Sequence, residues 1–293
     1  MQMVYISDGK AGHRSQALGL FQAIQAKKPQ ANLQEILIED LPLASIFTAL
    51  FTKKLSAVVV IPNWIVGVGS HTHFRVWLLG KIYPHAKTII LMKPSLPLTW
   101  FDYSIVPEHD GLTACDRVVV TQGALNPIVN EHRHQPKRIL VALGGSSKRH
   151  QWNAEKVLNA IAQIVKHQPN HQIIVTTSRR TPANFLTQLM QQDFAKKLEL
   201  FPVEQTPQGW IYEQMQLAQA VWVTEDSVSM IYEALTAGCR VGVILIDRLR
   251  EDRITQSVDR LLQQWIAACY DVAQLPQAKA LQEAKRVVDQ LTK

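Results

Sequence analysis

Thr224-Glu225-Asp226-Ser227-Val228-Ser229-Met230, followed by Glu233, lies between the apolar run Ala220-Val221-Trp222-Val223 and a second apolar run from Val241 to Ile246. The order reads as strand, polar turn, helix, strand. Two acids and two hydroxyls crowd the point where the helix begins. Free backbone N–H groups and the positive end of the helix dipole suit an anionic ligand there. The plainer alternative is that Ser227 or Asp226 caps the helix.

The same alternation extends outward from this stretch. Upstream in the second half, strands are expected at Ile139 to Leu143, Ile173 to Thr176 and Leu198 to Phe201, and a helix carries Val157, Leu158, Ile161, Ile164 and Val165. In the first half, Met3 to Ile6, Leu33 to Ile38, Trp64 to Val68, Lys87 to Met92, Tyr103 to Val106 and Arg117 to Val120 read as strands, and Ala17, Leu18, Phe21 and Ile24 recur at helical spacing. Short strands alternating with helices predict an α/β protein of two Rossmann-like parallel-sheet domains facing across a cleft. The polar stretch Asn126 to Lys137, with Pro127 and Pro136, reads as the linker. Expected domains are 1–130 and 137–275, with a charged C-terminal helix over 276–293, from Ala278 onward, packing back on the first domain.

The chain has 293 residues and a net charge of +7, which fits phosphate-bearing substrates, nucleic acid or an anionic membrane without choosing among them. Cys115, Cys239 and Cys269 are scattered and show no zinc or redox spacing, as expected in a reducing, cytoplasmic setting. The initial apolar run is too short for a signal peptide, and no clean apolar run approaches the roughly 20 residues needed to span a bilayer. The stretch Ala44 to Ile61 is different. Phe47, Leu50, Phe51 and Leu55 would share a helical face beside Lys53 and Lys54, giving either a membrane-surface helix or a core helix followed by a strand from Ala57 to Ile61.

Several strand-end turns could carry chemistry. Ser7-Asp8-Gly9-Lys10-Ala11-Gly12-His13 offers Asp8 and His13 as a base or an orienting pair. Gly144-Gly145-Ser146-Ser147-Lys148 makes a phosphate nest, although its spacing is not that of a P-loop, and no G-x-G-x-x-G follows a strand. Ser178-Arg179-Arg180-Thr181 puts two guanidinium groups at a strand end, where they suit diphosphate oxygens. Glu225 and Glu233, spaced by two helical turns, could face a ribose together. Pro107-Glu108-His109-Asp110 adds Asp110 as a further candidate base. Ser70-His71-Thr72-His73 is not a complete metal set, so no metal is assigned.

The chain resembles the mitochondrial-fission ELM family, on Ser7 to His13 with Gln16, Lys93-Pro94-Ser95, Pro107 to Asp110, Ser178 to Thr181, and Thr224 to Met230 with Glu233-Ala234. The resemblance implies a GT-B-like fold with an acceptor-side first domain and a nucleotide-sugar-binding second domain. It implies transfer of a sugar to a cell-envelope glycan or glycolipid acceptor such as lipooligosaccharide core, at the inner face of the cytoplasmic membrane. The expected chemistry is inverting and metal-independent, with the nucleotide sugar as substrate and no cofactor. Donor contacts would come from Gly144, Gly145, Ser146, Ser147, Lys148, Ser178, Arg179, Arg180, Thr224, Glu225, Asp226, Ser227, Ser229 and Glu233. The base would be Asp8, His13 or Asp110. The alternative is a non-catalytic scaffold recruited to a membrane. Dispersed Lys and Arg residues, without a recognition motif, argue against a nucleic-acid partner.

Overall fold

The computed structural model describes residues 1–277, 279 and 281–292. The chain divides into two compact units, Met1–Pro127 with Gln282–Lys293, and Ile128–Leu281.

The first unit runs β1 (Gln2–Ser7), α1 (Ala11–Lys27), β2 (Asn32–Leu37), α2 (Leu43–Thr52), β3 (Trp64–Val68), α3 (Ser70–Ile82), β4 (Lys87–Leu91), β5 (Tyr103–Pro107) and β6 (Val118–Thr121). The six strands form one sheet in the order β2-β1-β3-β4-β5-β6, with every neighbouring pair parallel. Such a sheet buries both faces, which explains continuous apolar strands such as Trp64 to Val68, buried at all positions. One face packs Tyr5, Val66 and Ile89 with Ala17, Leu20 and Ile24 of α1, and the other packs Ile6, Ile65 and Ile90 with Ile46 and Leu79 of the next two helices.

The segment after α2 differs from expectation. The helix ends at Lys53, which adopts left-handed backbone (φ 55°), so Leu55 lies outside it and turns into the core. No strand forms over Ala57 to Ile61, and Val59 and Ile61 are exposed. The Gln34 side chain instead bonds this loop, its Nε2 donating to Ala57 O (2.7 Å) and its Oε1 accepting from Val59 N (3.1 Å).

The second unit runs β7 (Gln135–Ala142), β8 (His150–Gln151), α4 (Ala154–His167), β9 (Gln172–Thr176), α5 (Phe185–Met190), β10 (Leu198–Phe201), α6 (Trp210–Leu217), β11 (Ala218–Thr224), α7 (Val228–Ala237), β12 (Arg240–Ile244), β13 (Asp247–Arg248), α8 (Arg253–Leu262) and β14 (Ile266–Ala267). Its main sheet has the order β10-β9-β7-β11-β12-β14 and is parallel throughout, while β8 and β13 pair antiparallel. Asn153 caps α4 by accepting from Lys156 N, and Val157, Ile161 and Ile164 bury one stripe of that helix, each contributing about 1.5–3 kcal/mol. Trp222, fully buried, donates from Nε1 to Cys269 O at 2.8 Å.

The expected linker folds onto the second unit rather than standing free. Strand β7 starts inside it at Gln135, Glu131 N donates to Gln216, and Arg133 forms a two-pronged pair with Glu213. The C-terminal helix α9 (Glu283–Leu291) begins later than Ala278, a residue that lies outside the described ones. Val287, Val288 and Leu291 join the α1 face of the first unit's core, and Lys27 pairs with Asp289 at 2.9 Å.

Candidate functional site

In the second unit the chain passes from β7 to β9 and β10 on one side and returns to β11 on the other. The strand order therefore reverses between β7 and β11, the point in an open parallel sheet where ligands bind beyond the strand ends. The turns after β7, β9 and β11 meet here. Gly144 N donates to Thr224 Oγ1 (2.7 Å), and Gly145 N to Asp226 Oδ2 (3.0 Å). Arg180 reaches Asp226 Oδ2 (2.7 Å) and Ser227 Oγ (3.0 Å) through Nη2, and the carbonyls of Gly145 and Ser146 through Nη1 (3.3 Å each). The Thr181 hydroxyl donates to Gly144 O. A Cβ on Gly145 would lie 1.9 Å from the Arg180 carbonyl oxygen, and one on Gly144 2.2 Å from Asp226 Oδ2, so only glycine permits this approach.

Asp226 is the centre of the cluster. Its side chain is sealed from solvent, and Oδ2 accepts from Gly145, Ser227 and Arg180, while Oδ1 has no hydrogen-bond partner. Ser227 occupies the N-cap position of α7 without a side-chain capping bond, because its hydroxyl is directed to Asp226 instead. The capping alternative is therefore not realised.

The remaining expected donor residues are placed differently. Ser146 Oγ accepts from Trp152 N (3.0 Å), and Ser147 Oγ from Arg149 N and His150 N (3.1 Å each), so both hydroxyls close their own turn. Ser178 Oγ accepts from Arg180 N. Lys148, Arg179 and Ser229 are exposed, and neither cation has a partner among the described residues.

Glu225 and Glu233 do not share a helical face. Glu225 belongs to the turn before α7, which begins only at Val228, so helical spacing does not relate the two. Glu225 is 1% exposed and ion-pairs with Arg248, whose guanidinium also holds Asp259 at 2.6 Å; His150 Nε2 lies 3.7 Å away. Burial opposes ionisation of Glu225, but the nearby His150 ring and the bonded Arg248 guanidinium outweigh it and hold the carboxyl below its ordinary range. Glu233, on α7, is half-buried and has no partner among the described residues. Burial pushes its carboxyl up to about 7. Nothing in the sequence points to Arg248, since one basic residue after the last long strand carries no spacing signal.

The first unit has its own reversal of order, between β1 and β3. Asp8 and His13 come together there. His13 Nδ1 lies 3.0 Å from both carboxylate oxygens of Asp8, and Lys10 Nζ lies 3.1 Å from Oδ2. The Asp8 side chain is 2% exposed. Its burial favours the neutral acid, yet bonds from Lys10 and His13 prevail and lower its pKa. An ionised carboxylate only accepts, so His13 Nδ1 is the donor and its Nε2 is left as an acceptor in the neutral ring. The ring lies over Gly69 (φ +81°), where a Cβ would come within 2.4 Å of His13 Cε1.

Asp110 stands apart from this pair, at the end of β5. It is buried, and its Oδ2 accepts from Lys93 N at 3.2 Å, which ties the β4 and β5 ends together. His73, at the start of α3, is buried and accepts at Nδ1 from Ser95 N (3.2 Å); burial lowers its pKa to about 4. Among the described residues no group of three or more His, Cys, Asp or Glu side chains is arranged to hold a metal.

The chain is similar to an uncharacterised protein, RP120, from Rickettsia prowazekii, at 23% identity over 99% of this chain and 97% of that one. Its fold is similar to that of S. aureus MnaA in a UDP co-structure (TM-score 0.52, 11% identity, covering 99% of this chain and 96% of that chain). It is similar also to Phytolacca americana UGT2 complexed with UDP-2-fluoroglucose and pterostilbene (TM-score 0.52, 10% identity, 99% and 90% covered). At such identities the likeness concerns the fold alone, two Rossmann-like units of GT-B type. Residues 11–293 match the model of the family described as mitochondrial fission ELM1, and the chain belongs to that family.

Proposed function

We propose that this protein is a glycosyltransferase that moves a sugar from a nucleotide-diphosphate sugar to a hydroxyl of a cell-envelope glycan or glycolipid. The observation that carries the reading is the β7–β11 reversal, where Gly144, Gly145 and the arginine-bearing turn surround the start of α7, with the unpartnered carboxylate of Glu233 further along that helix. Arg179, Arg180 and the first N–H groups of α7 offer positive charge to a diphosphate. Glu233 is free to accept from ribose hydroxyls. UDP and UDP-2-fluoroglucose in structures of similar fold support a nucleotide sugar as the ligand.

In the first unit the Asp8–His13 pair supplies a base. Asp8 orients the ring, and His13 Nε2 takes the acceptor hydroxyl's proton. The acceptor oxygen bonds to the anomeric carbon as the carbon–oxygen bond to the diphosphate breaks, and the nucleoside diphosphate leaves with the bonding pair. Attack opposite the leaving group inverts the anomeric centre. The cationic turn and helix N-terminus stabilise the departing charge, a role that needs no metal. Asp110, already engaged by Lys93, supports the β4–β5 ends in this scheme.

A non-catalytic scaffold is the second reading, and one observation favours it. The groups expected to bind phosphate, Gly145 N, Ser227 and Arg180, are already occupied by Asp226. Titration calorimetry with UDP-, GDP- and CMP-sugars separates the two. Donor binding that weakens in Glu233→Ala, by about 1–3 kcal/mol for a lost charged hydrogen bond, supports the transferase. Failure of every nucleotide sugar to bind the folded protein refutes it.

A further inference from the structure

We infer that the outer face of α2, with the loop that follows it, is a docking surface for an anionic lipid bilayer. Helix α2 turns Ile46 and Ala49 into the core. Ala44, Phe47, Thr48 and Phe51 fall on its opposite side at i, i+3, i+4 and i+7. Phe51 is 90% exposed. The threonine hydroxyls do not make this side polar: Thr48 Oγ1 donates to Ala44 O (3.1 Å) and Thr52 Oγ1 to Thr48 O (3.4 Å). With those hydroxyls folded back on the helix, methyl and phenyl groups dominate the surface. Beyond the helix, Val59 and Ile61 are 80% and 81% exposed, held in a loop that Gln34 fixes. Large apolar side chains gathered in one segment mark an interaction surface.

Charge selects the partner. Lys53 and Lys54 follow Phe51 after one residue, Thr52, and Lys53 Nζ lies 3.4 Å from Lys81 O, which brings the ends of α2 and α3 together. The Lys81 ammonium sits 5.7 Å from the Trp77 ring, which stacks on the partly exposed Trp100 at 4.4 Å. None of these three lysines pairs with a carboxylate among the described residues. An apolar ridge rimmed by unpaired lysines and interfacial tryptophan is the chemistry that anionic lipid headgroups recognise. The loop after α2 leads back to where β3 begins, whereas Asp8 and His13 follow the end of β1. No helix among the described residues is long and apolar enough to cross a membrane, and the docking needs none.

Co-sedimentation of the full chain with vesicles tests this, and it uses no nucleotide sugar, so its outcome is separate from that of the transferase reading. On vesicles of phosphatidylcholine with about one third phosphatidylglycerol, the protein binds at least tenfold more tightly than on phosphatidylcholine alone, and added salt weakens binding. Lys53→Ala with Lys54→Ala weakens it about 20- to 30-fold, and Phe51→Ser at least tenfold, with circular dichroism unchanged. Should Phe51→Ser fail to fold, Ile61→Ser takes its place. Absence of vesicle binding, or equal binding by the variants, overturns the inference. Self-association abolished by Phe51→Ser without vesicle binding also overturns it, assigning the face to a second copy of the chain.

Discussion

Replacing Glu233 by Gln keeps the shape of the side chain and removes a charge that the fold holds unwillingly. Its carboxyl is moved from an ordinary 4.5 to about 7 by burial. That shift corresponds to roughly 3 kcal/mol between the two protonation states. Part of the residue remains exposed, and solvent screening there reduces the expectation to about 2 kcal/mol. The sign follows from proton uptake. The native state binds a proton that the unfolded chain has released between pH 4.5 and 7, so stability is complete below pH 4.5 and falls as pH rises through 7. Glu233→Gln is therefore more stable than the parent by about 2 kcal/mol at pH 8, and equal to it near pH 4.5. For a unit of this size that is a Tm gain of about 4–8 °C at pH 8, shrinking to nothing in acid. Thermal melts of both proteins at pH 4.5, 6, 7 and 8 measure it. A Tm difference that does not change with pH, or a variant less stable at pH 8, refutes the reasoning.

Arg248→Ala strands the buried Glu225 without its guanidinium and should cost about 3–5 kcal/mol, while adding Glu225→Gln should recover part of that loss in denaturant titrations. Gly145→Ala forces a methyl against the Arg180 carbonyl, so the β7 turn must shift; about 1–3 kcal/mol of stability is lost, and any nucleotide-sugar affinity falls with it in calorimetry. Asp8→Asn keeps donor affinity but slows transfer, or hydrolysis of the nucleotide sugar, by about 100-fold or more, because the His13 ring loses its orienting carboxylate. An unchanged rate in folded Asp8→Asn would remove the pair from the chemistry.

The sheets were legible because both-face burial leaves nearly unbroken apolar runs, and the turns between them carry their own punctuation. Thus Ala220 to Val223 and Trp64 to Val68 read as strands, and the structure contains both. The segment from Lys53 to Asn63 was not, because an apolar run such as Ala57 to Ile61 looks the same whether it pairs in a sheet or lies on the surface beside a glutamine. At the candidate site, the gathering of Gly144, Arg180 and Asp226 was legible as three polar strand ends. Their mutual bonding was not, since sequence does not show that a carboxylate takes the place expected for an anion. Nor does spacing distinguish Glu225, sunk against Arg248, from Glu233, which is free; the difference depends on where α7 begins.

The return of α9 to the first unit has a consequence for synthesis. Val287, Val288 and Leu291 complete the surface formed by Ala17, Leu20 and Ile24, but they are translated after the whole second unit. At about 5–20 residues per second the ribosome takes on the order of 10–30 s to make residues 128–281 before that helix emerges. For this interval the nascent N-terminal half waits with an oily flank uncovered. A messenger truncated before the Val287 codon would leave that flank bare permanently.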